Sequence, residues 1–389
     1  MKILAFTPFP PEPGGGSRVS EALFKRLSER GHEIFVITYR KYNKEDTTSK
    51  VFALNLKKSF VGFRGFLYIL WGSLTGIYVG IKNNVNIVYG RNLSSPGITA
   101  TIVAKSIGRP LVLHTSGQDV QSPEKGVSRK NIFTMMITKV LEGALNIELK
   151  RGDLIIAVCK TDGKVVSKLV GSSKVVTQYY GIDTDKFSPN AKNREKIRKM
   201  LGLGNDDIIF CFSGRASKEK GISILLKLAK IFDDSYFLFV GPNNREVKSF
   251  GEVTSNCIFT GFVDNVCEYL QASDIFLLPS EIEGVPNAMV EAMSCNLPVI
   301  STPVGDCKYL IEDGKNGFLV NDVNGFIEKC EILKKNRKLR ESMGYLGRKK
   351  VLELFDWDLM VETFENCFEK LIVRSSERRV INPKNLNSI

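Results

Sequence analysis

The sequence predicts an α/β protein with two doubly wound, Rossmann-like parallel-sheet domains facing a cleft, and three observations carry that expectation. At 389 residues the chain exceeds what a single hydrophobic core usually organises. Short β-branched or aromatic runs alternate with segments of helical period, the signature of parallel βαβ units. The alternation comes as two series, separated by a polar, charged stretch at 183–204 that contains Pro189.

The first series of strand candidates is 3–6, 34–38, 51–56, 87–89, 111–114 and 154–158. The second is 208–213, 237–240, 257–260, 275–278, 299–301 and 318–320, with helices expected between the strands of each series. The domain expectation is therefore 1–182, a linker at 183–204 with the ligand cleft beside it, and 205–355. An amphipathic helix at 356–373 is expected to return to the first domain, and the polar tail 374–389 to be flexible.

A net charge of +13 suggests a phosphate-rich partner: nucleic acid, an anionic bilayer surface or a nucleotide ligand. The positive residues are spread along helices instead of gathered with interleaved aromatics, which argues against nucleic acid. Eight cysteines occur without a CxxC pair, and Cys159, Cys211 and Cys257 fall in apolar runs, the pattern of reduced, buried thiols in a cytoplasmic protein without zinc. The opening MKILAFTPFPPEPGGG reads as a first buried strand and not as a signal peptide. The segment 60–81 has one charge, Arg64, and carries Gly72, Gly76 and Gly80 at four-residue spacing. Three readings stay open for it: a membrane span, a buried crossover helix with close backbone approach, and a helix dipped into a membrane interface.

The stretch PSEIEGVPNAMVEAMSCNLPVISTPVG carries the densest chemistry. Glu283 and Glu291 are eight positions apart, so a helix opening near Pro286 places Glu291 on its face and leaves Glu283 in the loop above. One acid can anchor a ribose-type diol while the other reaches a reactive sugar. The turn from Gly284 through Val285 to Asn287 would aim backbone N–H groups and a positive helix end at an anion such as phosphate. Upstream, the 208–213 strand runs into GRASKEKGI, which sets Arg215 and Lys220 at the carboxyl edge of a parallel sheet, where open α/β sheets bind ligands. Two cations there can neutralise a diphosphate, the Arg as a fork and the Lys as a point charge.

In the first half, Gly14, Gly15 and Gly16 follow the first strand and permit close backbone approach to a ligand. A nicotinamide fingerprint is excluded, because no third glycine follows at the required spacing and the 34–38 strand ends in Tyr39 and Arg40 instead of an acid. Of the two histidines, His32 lies in a helix-to-strand turn and reads as structural. His114 ends a strand and could hydrogen-bond a sugar hydroxyl or be a satisfied strand-end residue. The acidic doublets Asp183/Asp185 and Asp356/Asp358 are too short a match to predict a metal site, and no phosphate-loop or serine-elbow motif occurs.

Together these segments resemble the retaining GT-B glycosyltransferases of family 4. The match runs in order through GGGS, GHEIFVIT, LVLHTSGQD, DLIIAVCK, YYGIDTDKFSP, FSGRASKEKG, IFTGFV, the Glu283–Glu291 stretch and FDWD, which is nearly the entire chain. The resemblance implies a nucleotide-diphosphate sugar as donor, with Arg215 and Lys220 on its diphosphate, Glu291 on its ribose and Gly261, Phe262 and Val263 lining the base pocket. It implies that Glu283 and the 284–287 turn face the donor sugar and phosphates, and that Gly14–Gly16 and His114 stand on the acceptor side. No metal or other cofactor is expected, and the acceptor is expected to be a glycan or a lipid-linked glycan. The implied reaction retains configuration, with the acceptor hydroxyl attacking from the face of the leaving group and a departing phosphate oxygen taking its proton. Two departures stand out: Tyr180-Gly181-Ile182-Asp183 has Tyr where the family usually has Asn, and Pro286 removes an N–H from the phosphate turn. A GT-B sugar-nucleotide epimerase or a non-catalytic nucleotide-sugar module are the alternative functions. The basic surplus and the apolar 60–81 segment add the expectation of a peripheral position on an anionic membrane face.

Overall fold

Thirteen strands in two all-parallel sheets organise the protein in a computed structural model, which describes residues 1–10, 15–40, 49–56, 63–115 and 147–381. The first sheet contains β1 (Lys2–Phe6), β2 (Glu33–Thr38), β3 (Lys50–Ala53), β4 (Ile87–Arg91), β5 (Leu111–His114), β6 (Leu154–Ala157) and β7 (Val175–Thr177), in the order β3-β2-β1-β4-β5-β6-β7. The second contains β8 (Ile209–Ser213), β9 (Tyr236–Val240), β10 (Cys257–Phe259), β11 (Ile275–Leu278), β12 (Val299–Ser301) and β13 (Gly317–Leu319), in the order β10-β9-β8-β11-β12-β13. Every strand pair is parallel, as the buried, β-branched runs require. Strand order reverses between β1 and β4 in one sheet and between β8 and β11 in the other, the doubly wound arrangement.

The chain forms two compact units, Met1–Gly181 with Trp357–Ile389, and Ile182–Asp356. In the first unit, the helix Trp357–Ile381 lays Met360, Val361, Phe364, Phe368 and Leu371 onto one face of the sheet, where they pack with Ile3, Ala5, Phe24 and Tyr89. The positions follow a helical stripe, which is why an element last in sequence completes the first core. This helix continues to Ile381, so residues 374–381 are not the loose tail expected; residues 382–389 lie outside the described set. His32 is structural: its Nε2 is 2.8 Å from Glu365 Oε1, and Arg30 holds Glu365 and Asp358 beside it.

Other departures have local causes. The strand expected at 51–56 ends at Ala53, and Asn55 adopts a left-handed φ of 51° that no strand accommodates. Strand β7 was not anticipated, because VVT is a three-residue, half-buried edge run with too few positions to show a period. The supposed linker 183–204 is instead folded into the second unit. Asn190 caps a helix at Ala191–Met200, and Arg194 and Arg198 on that helix grip Asp274 at 2.5 and 2.6 Å. The Arg198 guanidinium also donates to the carbonyls of Ala272 and Asp207, both at 2.9 Å. Most polar side chains of that stretch face solvent, but Arg194 and Arg198 turn inward and anchor it to the second sheet.

The helix Phe63–Lys82 crosses between β3 and β4 of one parallel sheet. Its glycines face inward: a Cβ on Gly76 would lie 2.5 Å from the Phe6 ring and 2.9 Å from Val103, and one on Gly80 2.7 Å from Ile107. Among the described residues no helix is long and apolar enough to cross a membrane, so the spanning reading is set aside. Helix propensity alone would make Gly76→Ala stabilising by roughly 0.8–1 kcal/mol. Overpacking against Phe6 reverses that sign, with an expected loss of about 1–3 kcal/mol seen as a lower urea midpoint at unchanged m. A midpoint at or above that of the native sequence would contradict the close packing.

Candidate active site

The loops that leave β8 and β11 at the strand-order reversal of the second sheet carry most of the residues singled out from sequence. The loop after β8 holds Arg215 and Lys220, and the loop after β11 holds Glu283 through Asn287. Two contacts stitch these loops together. Glu281 N–H donates to the Glu219 carbonyl at 2.8 Å, and Gly221, with φ +69°, lies so close that a Cβ would stand 2.1 Å from the Pro279 oxygen. Only glycine meets both demands there. As a result Lys220 Nζ reaches Glu283 Oε1 at 2.6 Å, and Ser280 Oγ donates to the same oxygen at 2.7 Å.

The two cations assigned alike from sequence are therefore placed differently. Arg215 is exposed and has no hydrogen-bond partner among the described residues, so its fork is available to an anion. Lys220 is three-quarters buried, donates to Glu283 and keeps two N–H directions for another acceptor. The lysine and the acid, read from sequence as separate groups, form one unit. Ser280, fully buried, is a member of that unit that sequence reasoning missed.

Behind the Glu283 loop stands a second enforced glycine. Gly305 has φ +53°, a Cβ on it would lie 2.3 Å from the Glu283 carbonyl oxygen, and the next residue, Asp306, donates its N–H to the Gly284 carbonyl at 2.9 Å. The TPVG run was visible in sequence, but only the approach to Glu283 gives it a role. With its carbonyl side pinned, the turn leaves the N–H groups of Val285, Asn287 and Ala288 without hydrogen-bond partners among the described residues. They open the helix Asn287–Ser294, whose positive end adds to the attraction for an anion. Pro286 occupies the N-cap position and its carbonyl accepts from Met289 and Val290, so the proline removes one donor yet sets the entry of the helix.

Glu291 lies one turn along this helix and its carboxyl has no hydrogen-bond partner among the described residues. Burial pushes it up to about 7, with the charge of Lys186 opposing the rise. An acid held there without donors is poised to receive hydroxyl protons. On the other side of β8, the loops after β9 and β10 are joined through Thr260, whose hydroxyl accepts from Gly241 N–H at 3.2 Å and donates to the Gly261 carbonyl at 2.7 Å. Gly261 turns the chain with φ +63° and Phe262 projects into solvent, 83% exposed, with Val263 partly covered beside it.

In the first unit, Gly14 lies outside the described residues, while Gly15 and Gly16 begin the helix Gly15–Glu29. The Gly16 carbonyl accepts from Arg91 at the end of β4, a buried guanidinium that also donates to Ser20 Oγ at 2.8 Å and Tyr180 Oη at 2.9 Å. Tyr180, in the position where the resemblance expects Asn, donates in turn to the Thr115 carbonyl at 3.4 Å. The Tyr180 hydroxyl thereby ties Arg91 at the end of β4 to Thr115 just after β5. Arg91 was not singled out from sequence, although an Arg at the carboxyl end of a strand beside the reversal point was the available signal.

His114 ends β5, and of its two readings the packed strand-end one matches the structure. The ring is fully buried, its Nδ1 lies 2.5 Å from the Tyr89 hydroxyl, and Tyr180 and Phe364 pack against it at 5.6 and 5.3 Å between ring centres. Burial, reinforced by the nearby Arg91 charge, holds its pKa well below the ordinary range, so the imidazole is neutral, and its Nε2 has no partner. Here the ring packs as a strand-end residue and does not meet solvent.

A polar cavity of about 610 Å³ opens at the opposite, amino edge of the second sheet, among Arg194, Asp274, Asn296 and Arg340. Its size exceeds its chemical interest. Arg194 and Asp274 satisfy each other, and Arg340 donates to the Leu333 and Lys334 carbonyls, so its charged groups are largely spent on structure.

Comparison with known proteins gives the family and the fold. The family model described as Glycosyltransferase Family 4 matches residues 13–186, and that described as Glycosyl transferases group 1 matches residues 193–350. N-acetyl-alpha-D-glucosaminyl L-malate synthase of Bacillus anthracis is 26% identical over 375 residues, covering 92% of this chain and 94% of that protein. UDP-Gal:alpha-D-GlcNAc-diphosphoundecaprenol alpha-1,3-galactosyltransferase of Escherichia coli is 26% identical, over 77% of this chain and 80% of its own length. Among solved structures, sucrose-phosphate synthase from Thermosynechococcus elongatus superposes with a TM-score of 0.79 at 17% identity, covering 96% of this chain and 99% of that one. Anabaena Alr3699/HepE in complex with UDP superposes at 0.76 and 19% identity, covering 95% and 100%. The chain belongs to the group 1, family 4 glycosyltransferases and is a transferase enzyme of GT-B fold.

Proposed function

We propose that this enzyme transfers a hexose from a nucleotide-diphosphate donor to a glycan or lipid-linked acceptor, with retention of configuration and without a metal ion. The observation that carries the reading is the meeting, at one sheet edge, of Arg215, a turn of N–H groups at 285–288 and a part-buried Glu291 that have no hydrogen-bond partners among the described residues. The first two suit a pyrophosphate and the third a ribose diol, spaced along a single helix start. Gly261, Phe262 and Val263 offer backbone to the base. The E. coli relative supports a lipid-linked acceptor, because it is named for an acceptor linked to diphosphoundecaprenol. The chain's Gly15–Gly16 helix start is the candidate acceptor-side element.

In the proposed reaction the bond from the anomeric carbon to the β-phosphate oxygen breaks and its electron pair stays on that oxygen. The acceptor oxygen bonds to the anomeric carbon on the same face, and its proton passes to the departing phosphate. Arg215, the free N–H groups and the remaining donors of Lys220 stabilise the charge that grows on the phosphate, which is larger in the transition state than in the ground state. These fixed positive groups take the role that a divalent ion plays in other transferases. Glu283, held by Lys220 and Ser280, faces the sugar as an acceptor for hydroxyls and a negative field beside the anomeric centre.

Arg215→Ala is expected to lower kcat/KM for the donor by roughly 10²–10³, and Glu283→Ala to act mainly on kcat. Steady-state kinetics with a panel of UDP-, GDP- and ADP-sugars would test both, and unchanged parameters in Arg215→Ala would remove the diphosphate assignment. Product anomers read by NMR should match the donor configuration, and turnover should survive a chelator; inversion or abolished turnover with EDTA would refute those parts.

Glu291 makes donor affinity depend on pH. Ribose hydroxyls donate to the carboxylate form, whereas the empty protein holds this acid up to about 7. Donor binding therefore expels a proton, and affinity should rise as pH climbs through about 7 and level off above it. Calorimetry in buffers of different ionisation enthalpy should find fractional proton release near neutrality that disappears in Glu291→Gln. Proton uptake, or none in the native enzyme, would contradict the ribose assignment.

A further inference from the structure

The crossover helix Phe63–Lys82 has two faces of opposite character. Its glycine face is packed against the sheet and the helix Ser95–Ser106. Its other face carries Phe66, Leu70, Trp71, Leu74, Tyr78 and Ile81, each 46–66% exposed. The spacings of four, one, three, four and three residues keep them on one stripe of the helix. A stripe of six large apolar side chains open to water is more than a monomer ordinarily leaves uncovered.

The charge around this stripe is one-sided. From Thr47 to Gln118 the sequence contains no Asp or Glu, and every charged residue in that span is Lys or Arg. Lys82 ends the exposed stripe, its Nζ 3.1 Å from the Tyr78 hydroxyl. On the neighbouring helix, Lys105 is exposed beside the part-exposed Ile102. Apolar side chains with Trp and Tyr among them, edged by lysines and free of acids, match an anionic bilayer interface: acyl chains receive the stripe and headgroups the cations.

A second copy of the chain fits less well. A two-fold contact through this stripe would set Lys82 and Lys105 against the same surface of the other copy, where the 47–118 span offers no acid to pair with either. We infer that the exposed face of the Phe63–Lys82 helix is a membrane-docking surface that lies in the interface of an anionic bilayer. The inference goes beyond sugar transfer and does not depend on it.

Vesicle flotation of the full chain provides the test, with phosphatidylcholine alone and with about one-third phosphatidylglycerol. The native chain should float with the anionic vesicles at low salt, about tenfold less with neutral vesicles, in high salt or as Leu74→Glu, whose thermal melt by circular dichroism reports its folding. Trp71 and Trp357 are the two tryptophans. In Trp357→Phe the remaining Trp71 should shift to the blue on binding and be quenched by brominated acyl chains. Flotation of the unmodified chain is the independent readout should that variant fold poorly. Absence of binding to anionic vesicles at low salt would overturn the inference, as would binding undiminished in a folded Leu74→Glu. So would a vesicle-independent dimer that Leu74→Glu dissolves, which would assign the stripe to a second copy. Because no readout involves nucleotide sugar, failure here is separable from failure of the proposed transfer.

Discussion

The contact between Lys220 and Glu283 holds the candidate site in one piece. It joins the loops leaving two adjacent strands of the second sheet, and both loops are shaped so that it can form: Gly221 lets one pass against Pro279, and Gly305 lets another chain segment pass beneath Glu283. Each side chain has one-quarter or less of its surface in water, so removing either partner strands a charge that solvent screens poorly. In the proposed reaction the pair would couple two jobs, since a lysine that leans towards a departing phosphate weakens its hold on the acid facing the sugar.

The two edges of the second sheet are built on opposite principles. At the amino edge, Asp274 is saturated by Arg194, Arg198 and the Ile209 N–H, and the ionic groups stabilise the fold by satisfying one another. At the carboxyl edge, Arg215, three backbone N–H groups and Glu291 are left without partners. Unsatisfied polar groups cost stability, and their concentration at one edge is what a binding site for a multiply charged ligand requires. A cavity of about 610 Å³ lies at the saturated edge, where the charged groups already satisfy one another.

Much of this was legible in the sequence because it is written in local pattern. The β-branched runs and their spacing foretell both sheets, and Glu283, Gly284 and Glu291 advertise a helix start with carboxylates on either side. What escaped depends on contacts distant in sequence. The helix at 191–200 looked like linker because its arginines are polar, and only Asp274, some eighty positions on, makes them buried anchors. His114 sits at a strand end in both readings, but the rings of Tyr89, Tyr180 and Phe364 that enclose it arrive from three separate parts of the chain. The glycines at 72, 76 and 80 signalled close approach correctly without revealing whether the neighbour was protein or lipid; it is protein on their side of the helix.

The most direct measurement is a crystal structure of the enzyme soaked with a nucleotide sugar or its nucleoside diphosphate. Pyrophosphate density within hydrogen-bonding distance of Arg215 and the N–H groups of Val285, Asn287 and Ala288, with the ribose hydroxyls on Glu291, is the predicted result. A saturated crystal with that edge empty, or with the nucleotide seated in the arginine-lined cavity at the amino edge, would contradict it.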